Sequence, residues 1–512
     1  MSNKNLFSKY DGLVKNEAGG DAFKLDPKST LALYAATSCL NNTFYTSGES
    51  QLKDIISLCS TMEPEFIAKV AVFSRHKSNM KDMPALLCAI LASRKENALL
   101  KKIFSRCINN GKMLRNFVQI IRSGVTGRKS LGTAPKKLVQ NWFNSRTPDE
   151  IFMDSIGQNP SLSQVLALSH PNPMDQEKNA LYGWLRGRED FNYDSLPTRV
   201  KDYDNFKKGN TKEVPDVPFE MLTGLDIDDD VWFHIAKNAG WHWLRMNLNT
   251  MIRHNVFKHH PEMVDFVAEK LSNRKLIPKN VFPYQIMASY LNSSEELPTP
   301  IRSALQEAME IATENVPVID GVIDLCVDVS ASMNHSVTGH RKGSTSAMRF
   351  VDVAALMACT LLRKNPNAVV IPFNTNVVKC SLDPKDTVLT NAKKLSDVCG
   401  GGTACSSALR HLNNKKSKGD LVVMFSDNQS WAESANGTTP LMNEWKSFKE
   451  RNGHAVLACV DIAPYATVQA KNDKDILHVS GWNDSVFEVL NYFMRNQLTS
   501  NYWVDIINKV TL

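Results

Sequence analysis

The apolar residues of this chain change their period once, near residue 315, and that change constrains the fold more than any other feature. From about residue 29 to about residue 315 they recur at helical spacing. Phe66, Val70 and Phe73 share one face, as do Leu99 or Leu100, Ile103, Phe104 and Cys107. The breakers Glu63-Pro64, Met83-Pro84, Thr147-Pro148 and His260-Pro261 each put proline where a helix can start. A succession of antiparallel helix pairs without strand signals predicts an α-solenoid. The stretch 190–218, rich in Asp, Asn, Lys and Pro, is read as a long exposed loop. After Pro317, short apolar runs at 322–329, 368–373, 420–425 and 455–460 alternate with helical candidates at 347–363, 406–413, 440–451 and 484–494. That alternation predicts a doubly wound parallel sheet, whose ligands bind at the carboxyl ends of the strands. The expected architecture is α + α/β, with helical repeats over residues 1–315 and a doubly wound domain over 316–512.

Size and composition narrow the class. A chain of 512 residues is too long for one ordinary core. Hydrophobic residues at 43% and charged residues at 22% suit a soluble globular protein. The net charge of +7 is a mild basic excess, so nucleic-acid binding must be argued from local clusters. Cys39, Cys59, Cys88, Cys107, Cys326 and Cys359 lie in or beside apolar segments and read as reduced core residues. With no C-x-x-C pair, neither a zinc ribbon nor a thioredoxin-like centre is supported. The amino terminus has no apolar signal region and no run of eighteen apolar residues occurs, which leads to the expectation of a cytoplasmic protein.

The run Asp328-Val329-Ser330-Ala331-Ser332 closes the first apolar run of the second half. One carboxylate and two hydroxyls from a single loop are hard oxygen ligands of the kind Mg²⁺ prefers. Gly400-Gly401-Gly402-Thr403 adds a hydroxyl at a glycine-rich turn, and Phe425-Ser426-Asp427-Asn428 adds a second carboxylate at a strand end. The combination resembles the metal-ion-dependent adhesion site of von Willebrand factor A domains. It implies a divalent cation, Mg²⁺ or another, on Asp328, Ser330, Ser332, Thr403 and Asp427. The single carboxylate of the Asp328–Ser332 loop leaves such an ion under-neutralised, with a position for an acidic ligand, which suits binding rather than hydrolysis. The blander reading is that these residues only cap helices and make turns. Two departures, Ala404 and Gln429 where acids are common in such domains, lower the expected affinity.

In the helical half, Gly127-Arg128-Lys129-Ser130-Leu131-Gly132-Thr133-Ala134-Pro135-Lys136-Lys137 brings four basic side chains to a loop and a helix start, where free N–H groups also favour phosphate. A solvated basic turn is the alternative. His170, before two prolines, reads as a phosphate ligand or a C-terminal cap. Trp241-His242-Trp243-Leu244-Arg245 reads as a packed helix, and the cluster Arg253, His254, Lys258, His259 and His260 as phosphate contacts or dipole complements. Enzyme signatures are missing. Residues 124–130 approach a phosphate-binding loop only loosely, and no H-E-x-x-H or G-x-S-x-G occurs. The expectation is a protein that is not an enzyme.

The order Gly-Arg-Lys-Ser, Lys-Lys with Trp142-Phe143-Asn144, Leu-Ser-His-Pro, Leu244-Arg245-Met246-Asn247-Leu248, Asp-Val-Ser-Ala-Ser-Met-Asn and Gly-Gly-Gly-Thr resembles the Ro autoantigen family over nearly the whole chain. The resemblance implies a TROVE module, a ring of HEAT-like helical repeats closed by a von Willebrand A domain. It implies binding of small structured noncoding Y RNAs and of the single-stranded ends of misfolded RNAs, and in bacteria partnership with an exoribonuclease. RNA contacts carry over to Lys136, Lys137 and His170, to which the reading of charge adds Arg128 and Lys129. One departure is the segment after Asn144, where the family commonly has a basic helix and this chain has Thr147-Pro148-Asp149-Glu150. A monomer without membrane attachment is expected. The alternative function is a metal-dependent interaction scaffold that docks an acidic partner.

Overall fold

The computed structural model describes residues 12–37, 47–279, 281–314, 316–337, 340–341, 344–345, 347–463, 465, 467–480, 485–495 and 502–512. The chain divides into two compact units. One comprises Met1–Ile55, Gly240–Ile252 and Pro261–Ile506, and the other Ile56–Ala239, Arg253–His260 and Ile507–Leu512. The element type changes where the period does, at the strand that begins with Ile323. Compaction follows a different border, because the helices Pro283–Leu291 and Thr299–Thr313 pack in the same unit as the sheet.

The second unit is helical. Its helices include Pro64–His76, Asp82–Ser93, Asn97–Cys107, Gly111–Arg122, Thr133–Asn144, Pro148–Met153, Leu162–Ser169 and Gln176–Leu185. Pro64 and Pro148 sit in first turns, where a missing N–H costs nothing. Thr147 with Glu150, and Ser161 with Gln164, form reciprocal capping boxes. Phe73, Phe117, Phe143 and Phe152 are fully buried, and Phe104 meets Phe117 edge to face at 5.1 Å. The 190–218 stretch departs from the expected loop, since it holds the helix Thr198–Lys207. Polarity hid that helix. It is anchored by buried Val200 and by Asp204, which accepts from Trp184 Nε1 at 3.1 Å and pairs with Lys208 at 2.6 Å.

Among the described residues the strands, all in the first unit, are β1 (Leu13–Lys15), β2 (Asp21–Lys24), β3 (Ile323–Asp328), β4 (His340–Arg341), β5 (Ser344–Thr345), β6 (Val369–Phe373), β7 (Leu421–Ser426), β8 (Val456–Asp461), β9 (Thr467–Val468) and β10 (Ile476–Ser480). Five form a parallel sheet in the order β10-β8-β7-β3-β6. β3, β7 and β8 are buried at every position, as a sheet covered on both faces requires. Cys326, Met424 and Leu457 pack against Leu409, Leu412, Trp445 and Phe448 of the helices Ser406–Asn414 and Pro440–Arg451. The alternating residues Leu325, Val327, Val423 and Phe425 face the other side. β1, β2 and β9 make a separate antiparallel sheet. The nine described cysteines are free, seven of them buried, while Cys39 lies outside the described residues.

Candidate functional site

Asp328 is the last residue of β3, and its carboxylate is fully buried. Ser330 N donates to its Oδ1 at 2.9 Å and Ser426 Oγ to its Oδ2 at 2.6 Å. Ser330 and Ser332 hydroxyls lie 3.2 Å apart. The glycine-rich turn is stitched to this loop by Gly400 N to Val329 O at 2.7 Å and Ala331 N to Gly401 O at 2.9 Å. Gly401, at φ +85°, takes a conformation that a side chain would strain, and a Cβ there would also stand 2.9 Å from Asn374 Nδ2. That turn delivers Thr403, which is buried and whose carbonyl accepts from Trp431 N and Ala432 N at 3.1 Å. Asp427, one residue past β7, is buried, and Gln429 N donates to its Oδ1 at 3.1 Å.

Asp328, Ser330, Ser332, Thr403 and Asp427 are therefore all buried on stitched loops at the carboxyl end of the sheet. Burial raises the Asp328 carboxyl, and burial together with the Asp328 charge pushes Asp427 up to about 7. Two desolvated carboxylates among hydroxyls fit a small hard cation, whose charge would relieve both penalties. Among the described residues no three His, Cys, Asp or Glu side chains group so as to hold a metal, so such an ion would depend on the serine and threonine hydroxyls.

The sequence reading missed three features here. Asp461 ends β8 as Asp328 ends β3, is buried, and accepts from the Asn428 amide. Its signal was an acid directly after an apolar run. Burial and then the Asp427 charge push it well above the usual carboxylate range. The second is the hairpin of β1 and β2, which clamps the loop after Asp427. Asn16 Nδ2 donates to Ser430 O at 2.7 Å, and Glu17 N to Gln429 Oε1 at 2.9 Å. Gln469 Nε2 bridges Asp21 O and Asn428 O, both at 3.2 Å. No local pattern announces a contact across 414 residues. Third, Trp431 is 49% exposed yet covers Gly402, where a Cβ would stand 2.9 Å from its ring.

In the helical unit, the helix that carries Lys136 and Lys137 runs Thr133–Asn144. Lys137 is exposed and Lys136 half-buried. Gln140, one turn on, donates to Ser169 O at 2.8 Å and His170 O at 3.3 Å. Lys136, Lys137 and His170 thereby share one neighbourhood. His170 caps its helix through its backbone, in the left-handed region at φ +50°, and its imidazole remains exposed. Lys129 is exposed as well. Arg128 is tied down, since Nε, Nη1 and Nη2 donate to Ser130, Ala92 and Leu131 carbonyls at 2.8, 2.8 and 2.6 Å. It shapes the loop that displays Lys129. Gly132, at φ +64°, leaves room for that guanidinium, which a Cβ would meet at 2.1 Å.

The two other sequence clusters make contacts within their own units. Trp241 Nε1 donates to Leu271 O at 3.1 Å and buried Arg245 to Ser289 Oγ at 2.7 Å, as a packed helix requires. His254 and His259 lie 3.8 and 3.6 Å from Asp229, and His260 3.8 Å from Asp230. Among the described residues no helix is long and apolar enough to cross a membrane.

A parallel sheet with an oxygen-rich loop set at its carboxyl end, in a chain that also carries paired helices, defines a helical-repeat protein with a von Willebrand A-type domain. Residues 323–494 match the family model described as the Ro60 vWA domain. The chain is homologous to the protein named RNA-binding protein RO60 of Deinococcus radiodurans, with 22% identity over 523 residues, 95% of this chain and 96% of that one. The crystal structure of the Deinococcus radiodurans RO (RSR) protein shares the fold, with a TM-score of 0.63 at 17% identity over 92% of this chain and 100% of that one.

Proposed function

We propose that the protein is a noncatalytic RNA-binding component of a ribonucleoprotein. It holds small structured noncoding, Y-like RNAs and the single-stranded ends of misfolded RNAs, and serves RNA quality control or processing in the cytoplasm. The observation that carries this reading is the convergence of Lys136, Lys137 and the exposed His170 through Gln140. Lys129 adds charge on the neighbouring loop. Homology to a protein named for RNA binding supports the same class. Lysines that meet phosphates release counterions, so affinity falls by about 0.7 log units per contact for each tenfold rise in salt on single strands. Substituting Lys136→Ala and Lys137→Ala is expected to weaken RNA binding roughly tenfold at moderate salt and to flatten its salt dependence. Gel-shift titrations at two salt concentrations read both. A variant that titrates like the wild type at each would remove these lysines from the site.

A second reading is favoured by the buried loop set around Asp328. With Mg²⁺ on Asp328, Ser330, Ser332, Thr403 and Asp427, the vacant coordination position would take the carboxylate of an acidic partner protein, an exoribonuclease among the possibilities. The ion would supply Lewis acidity, and the protein would position its ligands through Ser426, Gln429 and the glycine turn. Both readings are compatible in one monomer. Asp328→Ala with Ser330→Ala should lose a Mg²⁺-dependent pull-down partner and retain RNA. Recovery of that partner despite these changes and chelation would sink the metal bridge.

A further inference from the structure

Arg75, Lys81 and Lys112 lie at the end of helix Gly111–Arg122 remote from the basic segment Arg128–Lys137. Arg75, in the last turn of Pro64–His76, donates from Nε and Nη2 to Asn109 Oδ1 at 3.2 and 3.0 Å, which seats it against the turn that opens Gly111–Arg122. Asn116 Nδ2 donates to Asp82 Oδ1 at 2.7 Å, which pins the start of Asp82–Ser93 to the second turn of that same helix. Lys81, at the N-cap of Asp82–Ser93, and Lys112, in the first turn of Gly111–Arg122, are exposed, and the Asn109 and Asn116 contacts bring both helix starts to the end of the helix that carries Arg75. The charges act on one another. Partial desolvation first, then the charges of Lys112 and Arg75, lower the Lys81 ammonium against the pull of Asp82. The first turn of Gly111–Arg122 carries no acid of its own, and the carboxylate that meets this helix start, from Asp154, is used on Gly111 N. Lys81 and Lys112 are like charges at two helix starts, where the helix dipole also opposes cations, and this placement does nothing for stability.

We propose that Arg75, Lys81 and Lys112 form a second phosphate-binding locus for the RNA backbone. The inference rests on the RNA-binding reading above. Helix Gly111–Arg122 has 12 residues, a length of about 18 Å, and separates this locus from the basic segment Arg128–Lys137 that follows its other end. One strand reaching both loci makes the second contact intramolecular, which raises overall affinity without new contacts at the first.

The test uses the full chain and a labelled 20-nucleotide oligouridine, with fluorescence anisotropy at several salt concentrations. Lys81→Ala with Lys112→Ala is expected to cut affinity about tenfold and to reduce the steepness of the log affinity against log salt plot by about 1.4, while thermal melting stays at the wild-type value. Lys81→Arg with Lys112→Arg keeps the charge and should restore both. Lys136→Ala with Lys137→Ala runs in parallel. If that pair weakens binding but the Lys81 and Lys112 variant keeps wild-type affinity and slope, the second locus is overturned and the RNA-binding reading stands. If the wild-type protein fails to bind the oligonucleotide even at low salt, both readings fall.

Discussion

At the scale of single residues, burial decides which groups do chemistry and which hold the frame. Arg128 and Lys129 are neighbours in a basic run, yet one guanidinium is spent on three carbonyls and the other side chain faces solvent. Their difference was not legible in the sequence, because Ala92 is brought to Arg128 only by packing. His478 makes the same point for proton binding. It lies buried on β10, and burial pushes its imidazole from an ordinary 6.5 down to about 4. The unfolded chain takes up this proton below about pH 6.5 while the folded chain does not until about pH 4. Stability from this group is therefore full above pH 6.5, declines as pH falls toward 4 and is lost below it, by on the order of 3 kcal/mol. His478→Leu should flatten the fall of the melting temperature over that window, and equal slopes for variant and wild type would assign the acid sensitivity elsewhere.

At the scale of elements, strand ends and turns gather what the sequence scatters. Asp328, Thr403 and Asp427 lie on three segments; the parallel register of β3 with β7 sets the two acids at one end of the sheet, and hydrogen bonds from the glycine turn to Val329, Ala331 and Asn374 bring Thr403 there. The apolar runs and their terminal acids made this site legible, since each run had to be a buried strand and each strand had to end in a loop. The fifth strand, β10, and the helix Val388–Ser396 escaped that logic. β10 carries a histidine and a serine where an apolar run was sought, and the helix is short and rich in polar residues. The β1–β2 hairpin belongs to this scale too. Asn16 spends Nδ2 on Ser430 O and Oδ1 on the Ala18 and Gly20 amides at 3.0 and 2.8 Å. Gly20 is pressed so close that a Cβ would stand 1.9 Å from Ser430 O. Asn16→Ala should cost about 1–3 kcal/mol and speed proteolysis of the 427–432 loop. Unchanged melting and cleavage would show that the loop holds itself.

At the scale of the whole molecule, the two proposed activities belong to different chemistries and should separate under different conditions. Phosphate contacts weaken with salt, and a cation held by hydroxyls and carboxylates weakens with chelator. Mg²⁺ should raise the melting temperature of the wild-type protein, because a ligand bound only by the folded state stabilises it, by about 2.7 kcal/mol at a hundredfold excess over Kd. Asp328→Ala should abolish that rise, and EDTA should leave RNA affinity unchanged. A Mg²⁺ response that survives Asp328→Ala would place the ion somewhere else. The sequence by itself determined the change from helical to alternating period, the strand ends that carry Asp328 and Asp427, and the basic run around Lys136. Each is written within a few neighbouring residues, where periodicity and turn chemistry act. Only the tertiary structure decided that Asp461 joins the buried carboxylates, that Asn16 clamps the loop after Asp427, and that Lys81 stands with Arg75 and Lys112. Those outcomes depend on residues far apart in sequence, and side-chain hydrogen bonds and excluded volume, which leave no local pattern, select them.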